Sequence, residues 1–317
     1  MIRHQMKMGI LSAMLLLSVL SEAQIPEIPS LFLGDDVSTR YNERDMAISP
    51  DGSEMFYTLV GNQNSFSVIV HRKKLSNGKW SSPEVASFSG KYGDLEAAFS
   101  ADGKKVFFSS NRPVEGDKVK DYDIWYVEKI NGVWANPKNL GPTINSPWNE
   151  FYPSLGASGN LYFTAEYKSG VGKEDIFLAA WKDGKYEPPV VLDTAVNSIL
   201  WEFNAFVSPD EKLIIFTSYG RADDSGGGDL YISVKDDQGK WQSAKNIKML
   251  NSIRLDYCPF VSFDRSILFF TSGKHGIPKP FEKAQTYDEL MKTLNQPENA
   301  SENIYWVSFK KVLESTK

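Results

Sequence analysis

The feature that most constrains this chain is an internal repeat. Five short apolar runs end in Ser or Thr: Met55–Thr58, Val106–Ser109, Leu161–Thr164, Ile214–Thr217 and Leu268–Thr271, with last residues 51, 55, 53 and 54 positions apart. A turn precedes each run, as in Ser49-Pro50-Asp51-Gly52, Ser100-Ala101-Asp102-Gly103 and Ser208-Pro209-Asp210-Glu211. Pro, Asp and Gly belong there because they preset turn dihedrals or tolerate positive φ. A further strand-like run follows in each unit, at Ser67–Val70, Asp123–Tyr126, Asp175–Leu178, Asp229–Ile232 and Asn303–Trp306. Gly-Lys-Trp type hairpins come next at Gly78, Gly132, Gly184 and Gly239, and fourth strands end near Leu140, Leu192 and Ile247. Four strands per unit in five units, with no helical periodicity, predict an all-β, five-bladed β-propeller with four antiparallel strands per blade.

The fifth unit lacks its fourth strand. Leu33 precedes Glu43 by ten residues, as Leu140 precedes Glu150 and Leu192 precedes Glu202. The N-terminal segment Ile28–Gly34 is therefore expected to pair onto the last blade and close the ring. Closure removes the open sheet edges that invite aggregation.

The Ser-Pro-Asp-Gly turns, aromatic runs ending in Thr-Ser or Ser-Ser, Arg112, and the Asp-Ile-Trp and Asp-Leu-Tyr strands resemble the WD40-like repeats of TolB-type β-propellers. The resemblance covers roughly residues 25–310 and implies the fold. It implies little about activity, because such repeats occur in scaffolds and sugar-acting proteins alike. The repeats begin soon after the leader, so the α/β domain that precedes the propeller in TolB is not expected here.

Residues 1–23 read as a secretory signal peptide. Arg3 and Lys7 precede the apolar stretch Gly9–Leu20, and Ser21-Glu22-Ala23 supplies small residues for cleavage before Gln24. Twelve apolar residues span about 18 Å, short of the roughly 30 Å of a bilayer core. Residues 24–317 are expected to form a single exported, monomeric domain, periplasmic or extracellular, with no membrane span. The formal charge of −5 becomes −6 without the leader, whose Arg3, Lys7 and Glu22 sum to +1, and no basic patch points to nucleic acid. One cysteine, Cys258, excludes a disulfide framework and a Cys-rich metal site. Of the three histidines only His71 and His275 lie beyond the leader, which leaves little for histidine-based catalysis.

Two columns of residues should gather where the inner strands begin. The acidic column is Glu43, Asp94, Glu150, Glu202 and Asp256; the aromatic column is Tyr41, Tyr92, Trp148 and Trp201, broken by Arg254 in the fifth unit. Convergent carboxylates must be compensated. Either each acid accepts hydrogen bonds that hold the neighbouring blade, or the columns ring a ligand mouth, with aromatic faces stacking on sugar rings or cations. A cation held by several of the acids is a third option. No cofactor and no metal site is assigned. Asp123, Asp175 and Asp229 start third strands, and with Arg112 and Arg221 they are expected to tie second and third strands together. Within 273–302, Thr286 and Glu289 form a capping box ahead of Leu290, Met291 and Leu294, which predicts a helix near Tyr287–Leu294, at the mouth or packed on blade 5.

The repeating acids do not offer the two differentiated carboxylates of a glycosidase, and no nucleophile elbow is present. The expectation is an exported non-catalytic binding or scaffold propeller with a glycan or protein partner at the channel mouth. A carbohydrate-active enzyme is the alternative.

Overall fold

A computed structural model describes residues 24–277 and 280–317; the leader lies outside the described residues. The chain forms five four-stranded antiparallel sheets, one per repeat, arranged as a five-bladed β-propeller. From the centre outward, blade 1 is built from Asn42–Ile48, Glu54–Val60, Ser67–Lys73 and Glu84–Val85. Blade 5 takes its inner three strands from Asp256–Val261, Ile267–Ser272 and Asn303–Ser308. Its outer strand is the N-terminal Ser30–Leu31, with Ser30 opposite Trp306 and Leu31 opposite Tyr305. The ring is closed as the spacing of Leu33 and Glu43 predicts.

Closure rests on a side chain as well as on backbone pairing. Phe32 donates its N–H to Ile304 O (2.9 Å), and its ring is buried edge-on against Phe269 and Trp306. The other cores lie in the wedges between blades. At the boundary of blades 1 and 2, for example, Trp134 packs on Phe56 and Phe99.

Outer strands are short except in blade 2. There Asn131 and Gly132, both at positive φ, form a two-residue turn that keeps Ile130 opposite Val133 and carries the ladder to Asn139. In blade 3 the equivalent turn at Asp183-Gly184 makes a separate hairpin, and Pro188-Pro189 interrupts the ladder before Val190–Val191.

Each inner strand contains a bulge at the same place. The residue two after the acidic column is in the left-handed region in every blade: Asp45 (φ 61°), Glu96 (64°), Tyr152 (53°), Asn204 (49°) and Cys258 (52°). Pairing with the second strand slips there in all five blades. A non-glycine residue in this region costs about 1–3 kcal/mol unless its surroundings hold it. At two seams the Thr that ends the apolar run supplies part of that hold: Thr58 Oγ1 accepts from Glu96 N (3.2 Å) and Thr164 Oγ1 from Asn204 N (3.0 Å), each across a blade boundary.

A C-terminal helix, Phe309–Ser315, lies outside the repeat pattern; it buries Phe309 and Val312 against Ile247 and Leu250. Phe309, Val312 and Leu313 carry helical spacing, but over too few residues to separate from a strand. The helix at Tyr287–Leu294 forms with its capping box, and none of its residues is fully buried.

Phe32→Ala should destabilise the protein by about 3–5 kcal/mol, as deletion of a buried aromatic ring does. Leu33→Ala, at a 38% exposed neighbour, should cost under about 1 kcal/mol in the same urea titration. Equal losses would mean that the N-terminal strand does not seal the ring through Phe32.

Candidate functional site

All five column acids are buried to within 1% of full burial. Each accepts from a residue four or five positions earlier, at the end of the preceding inter-blade loop. Glu150 takes Ser146 N and Oγ (3.0 and 2.6 Å), Glu202 takes Ser198 N and Oγ (2.7 and 2.8 Å), and Asp256 takes Ser252 N (2.6 Å). Glu43 is bound by Thr39, and Asp94 by Ser89 Oγ. Their own backbone N–H groups reach back one blade: Glu43 to Glu302 O, Glu150 to Tyr122 O, Glu202 to Glu174 O and Asp256 to Gly228 O, at 2.8–3.0 Å. The carboxylates thus lie behind the channel wall, at the blade seams.

Arg112 and Arg221 do not tie second strands to the aspartates of third strands. Arg112 donates to Asp94 Oδ1 (2.6 Å) and Arg221 to Glu202 Oε1 (3.0 Å). The register explains the difference: Ser110 lies opposite Asp94 and Ser218 opposite Glu202, so an arginine shortly past the second strand meets the inner strand first. Asp123, Asp175 and Asp229 instead brace loops and outer strands. Asp123 pairs with Lys120 and Asn139, Asp175 accepts from Val171 N and Gly172 N, and Asp229 from Ser225 N and Asn246.

Seams without arginine leave a mark on acidity. Burial pushes Glu43 up to about 7, Glu150 to about 8 and Asp256 to about 6, only partly offset by the hydrogen bonds they receive. Glu150 Oε2 and Asp256 Oδ1 are buried with no partner among the described residues.

The aromatic column stands on the rim. Tyr41 and Trp148 are about half exposed, Trp201 packs beside Tyr219, and Arg254 is exposed. Arg40 lies over Tyr41, Arg112 over Tyr92, and Lys173 over Trp201. None of these residues lines the cavity at the centre of this face. The helix at Tyr287–Leu294 touches the rim through Arg40, which bonds Asn295, but it too stays outside the cavity.

That cavity has a volume of about 410 Å³ and draws on all five blades. Its wall is the residue after each column acid: Arg44, Leu95, Phe151, Phe203 and Tyr257. Side chains alternate along a strand, so when the acid faces the seam its successor faces the channel. Above them stand residues from the loops before third strands: Phe66, Tyr122 and Glu174. Phe66 folds back over Gly61, where a Cβ would lie 2.5 Å from the ring, so this loop needs glycine.

The floor is formed by the bulge residues. Arg44 donates to Asp45 Oδ1 (2.7 Å) and Glu96 Oε1 (2.9 Å), touches the Cys258 sulfur (3.4 Å), and lies over the Tyr257 ring at 4.8 Å. Glu96 also accepts from Tyr152 N (2.7 Å), Ser109 Oγ (3.0 Å) and Asn204 (3.3 Å). Burial drives the Glu96 carboxyl upward while Arg44 pulls it back. Burial also pushes the Cys258 thiol well up, which makes it a poor nucleophile. Glu174 has no such compensation; burial and neighbouring Glu166 push it up to about 7. Below the floor, between Asp45, Tyr152 and Phe260, only about 40 Å³ remains. The cavity above therefore narrows sharply at the level of Arg44, Asp45 and Glu96.

The repeating acids are hydrogen-bonded at the blade seams; the residues one and two positions later, which vary, shape the cavity. A larger groove of about 600 Å³ runs between blades 2 and 3 past Tyr126, Trp181 and Tyr186, but it gathers residues from those two blades alone. Among the described residues, no cluster of His, Cys, Asp and Glu suited to a metal ion occurs, and no helix is long and apolar enough to cross a membrane.

No protein-family model matches the chain, and no curated protein is detectably similar in sequence. Solved structures are similar in fold. TolB from Acinetobacter baumannii aligns at 14% identity and TM-score 0.48, covering 84% of this chain and 55% of that one, so the chain spans about half its length. An alpha-L-arabinofuranosidase from Lactobacillus brevis aligns at 12% identity and TM-score 0.48, covering 86% and 91%. A complex of BT0996 with RGII aligns at 8% identity and TM-score 0.52, covering 89% and 91%. These likenesses, at 8–14% identity, concern the fold alone.

Glu150 gives a pH test. Its acidity is weakened on folding, so its contribution to stability is complete below about pH 4.5 and is lost as pH rises through about 8. Glu150→Gln removes that loss. The melting temperature of the variant relative to the parent should rise between pH 5 and about pH 8 and then level off; a flat difference throughout would mean that Glu150 is not held protonated.

Proposed function

We propose that this chain is an exported binding propeller that takes a small polar ligand, a carbohydrate, in the funnel at the centre of the wheel. The observation that carries this reading is the funnel's wall. Five equivalent positions around a near-symmetric ring hold Arg44, Leu95, Phe151, Phe203 and Tyr257, and the loops add Phe66, Tyr122 and Glu174. A purely structural ring has no need for such variety. Its volume falls in the range of ligand pockets, and aromatic faces beside a few convergent polar groups suit a sugar ring. The rim residues Tyr41, Tyr92, Trp148 and Trp201 would meet only the projecting end of a longer ligand. Export is supported by the leader-like residues 1–23.

A carbohydrate-active enzyme is the second reading. It is favoured by one observation: Glu96 and Glu174, two carboxyls with weakened acidity, border the same cavity, and glycoside cleavage needs two carboxyls in different roles.

The test is a glycan panel screened against the purified chain for binding and for release of reducing ends. Phe66→Ala should weaken binding of any hit by about tenfold or more while leaving the melting temperature nearly unchanged, since the ring is 52% exposed. Trp148→Ala should change affinity less than about threefold. A hit indifferent to Phe66 would move the site elsewhere; release of reducing ends that stops in Glu174→Gln would establish the enzymatic reading.

A further inference from the structure

The charge balance of the funnel narrows the ligand further. Among its lining residues the only cation is Arg44, and that guanidinium is already spent. Its Nε and Nη2 are bonded to Asp45 and Glu96, its plane lies on Tyr257, and only 19% of its side chain is exposed. Asp45 and Glu96, the latter with its acidity weakened by burial, take up its charge, so the wall keeps no free cation among the described residues. Glu174, on the opposite wall, is a further acid; among the described residues no side chain or backbone N–H donates to its carboxyl, and Glu166 is nearby. The remaining polar residues on the wall are neutral.

Around these carboxyls the wall is aromatic. Tyr122 and Phe151 pack with centroids 5.2 Å apart, and Phe66 and Phe203 complete the ring. Aromatic faces carry negative potential and attract cations, by about 0.5–2 kcal/mol for each well-placed ring. Carboxyls short of a counter-charge act in the same direction. An anionic ligand would face uncompensated acids and the negative faces of the rings; a neutral sugar would stack and could donate a hydroxyl to Glu174 but would bring no counter-charge.

We propose that the funnel selects a ligand carrying a protonated amine, an amino sugar rather than a neutral or anionic one, with the ammonium held between Glu174 and the aromatic wall. This inference rests on reading the funnel as a carbohydrate site. The Arg44 stack on Tyr257 is the same interaction made within the chain, on the same wall. Selection follows because an acetylated amine keeps its ring and hydroxyls but loses the charge. Acetylation also adds bulk and a carbonyl acceptor, so the charge is isolated by comparing both ligands on the parent and on Glu174→Gln.

The experiment is calorimetric titration of the full purified chain at pH 7.5, above the value of about 7 to which Glu174 is pushed, with two tetrasaccharides of equal length, one of glucosamine units and one of their N-acetylated counterparts. The amine form should bind at least about tenfold more tightly, equivalent to about 1.4 kcal/mol. Glu174→Gln should erase the preference with little change in affinity for the acetylated form, and Phe66→Ala, at an exposed site, should weaken both. Equal affinities, or tighter binding of the acetylated form, would overturn selection by charge and leave the carbohydrate site standing. Binding of neither tetrasaccharide would overturn the site as well. A preference that survives in Glu174→Gln would overturn the assignment of the ammonium's partner.

Discussion

The structure depends on the buried carboxylate at the head of each inner strand. Its oxygens hold the end of the loop before it, and its own N–H is bonded, at four seams, to the loop before the third strand of the preceding blade. Taking five carboxylates out of water is costly, and the chain meets that cost in two ways. Asp94 and Glu202 receive an arginine, whereas Glu43, Glu150 and Asp256 have their acidity weakened. Moving any one of these side chains would release the seam and the strand start together.

Fixing the strand head also fixes the two residues after it. Because side chains alternate, a seam-facing acid forces its successor into the channel, and the bulge then turns one more residue inward. The repeat thus builds the frame, and deviations from it decide chemistry. Where every blade needs the same contact, the residue recurs as Asp or Glu. Where no blade needs it, Arg44 faces Leu95, Phe151, Phe203 and Tyr257 across one cavity.

The funnel narrows below at a network in which one polar atom stays idle. Glu96 is the hub: it accepts from Arg44, Asn204, Ser109 and the strained backbone of Tyr152. Glu96 takes the place that Thr58 and Thr164 hold at neighbouring seams, receiving a bulge N–H from the next blade. Asp45 Oδ2 is buried beside it without a partner among the described residues. This network narrows the centre of the wheel between the cavity above it and the small one below.

Periodicity alone was enough for the fold, the blade count, the N-terminal closure and the capped helix at Tyr287–Leu294. Those features depend on local turn chemistry and on contacts repeated five times, so they write themselves into spacing. The same pattern drew attention to residues at the seams and on the rim, next to those that line the cavity, because recurrence marks what every blade shares. Glu96 and Asp45 went unread as a pair, since nothing in one dimension separates a bulged channel acid from a surface one, and Arg112 found Asp94 rather than Asp123 through strand register. Which side chains share the funnel is decided by the ring, which brings residues about fifty positions apart to a common axis. That convergence is a property of the closed wheel, absent from any one blade.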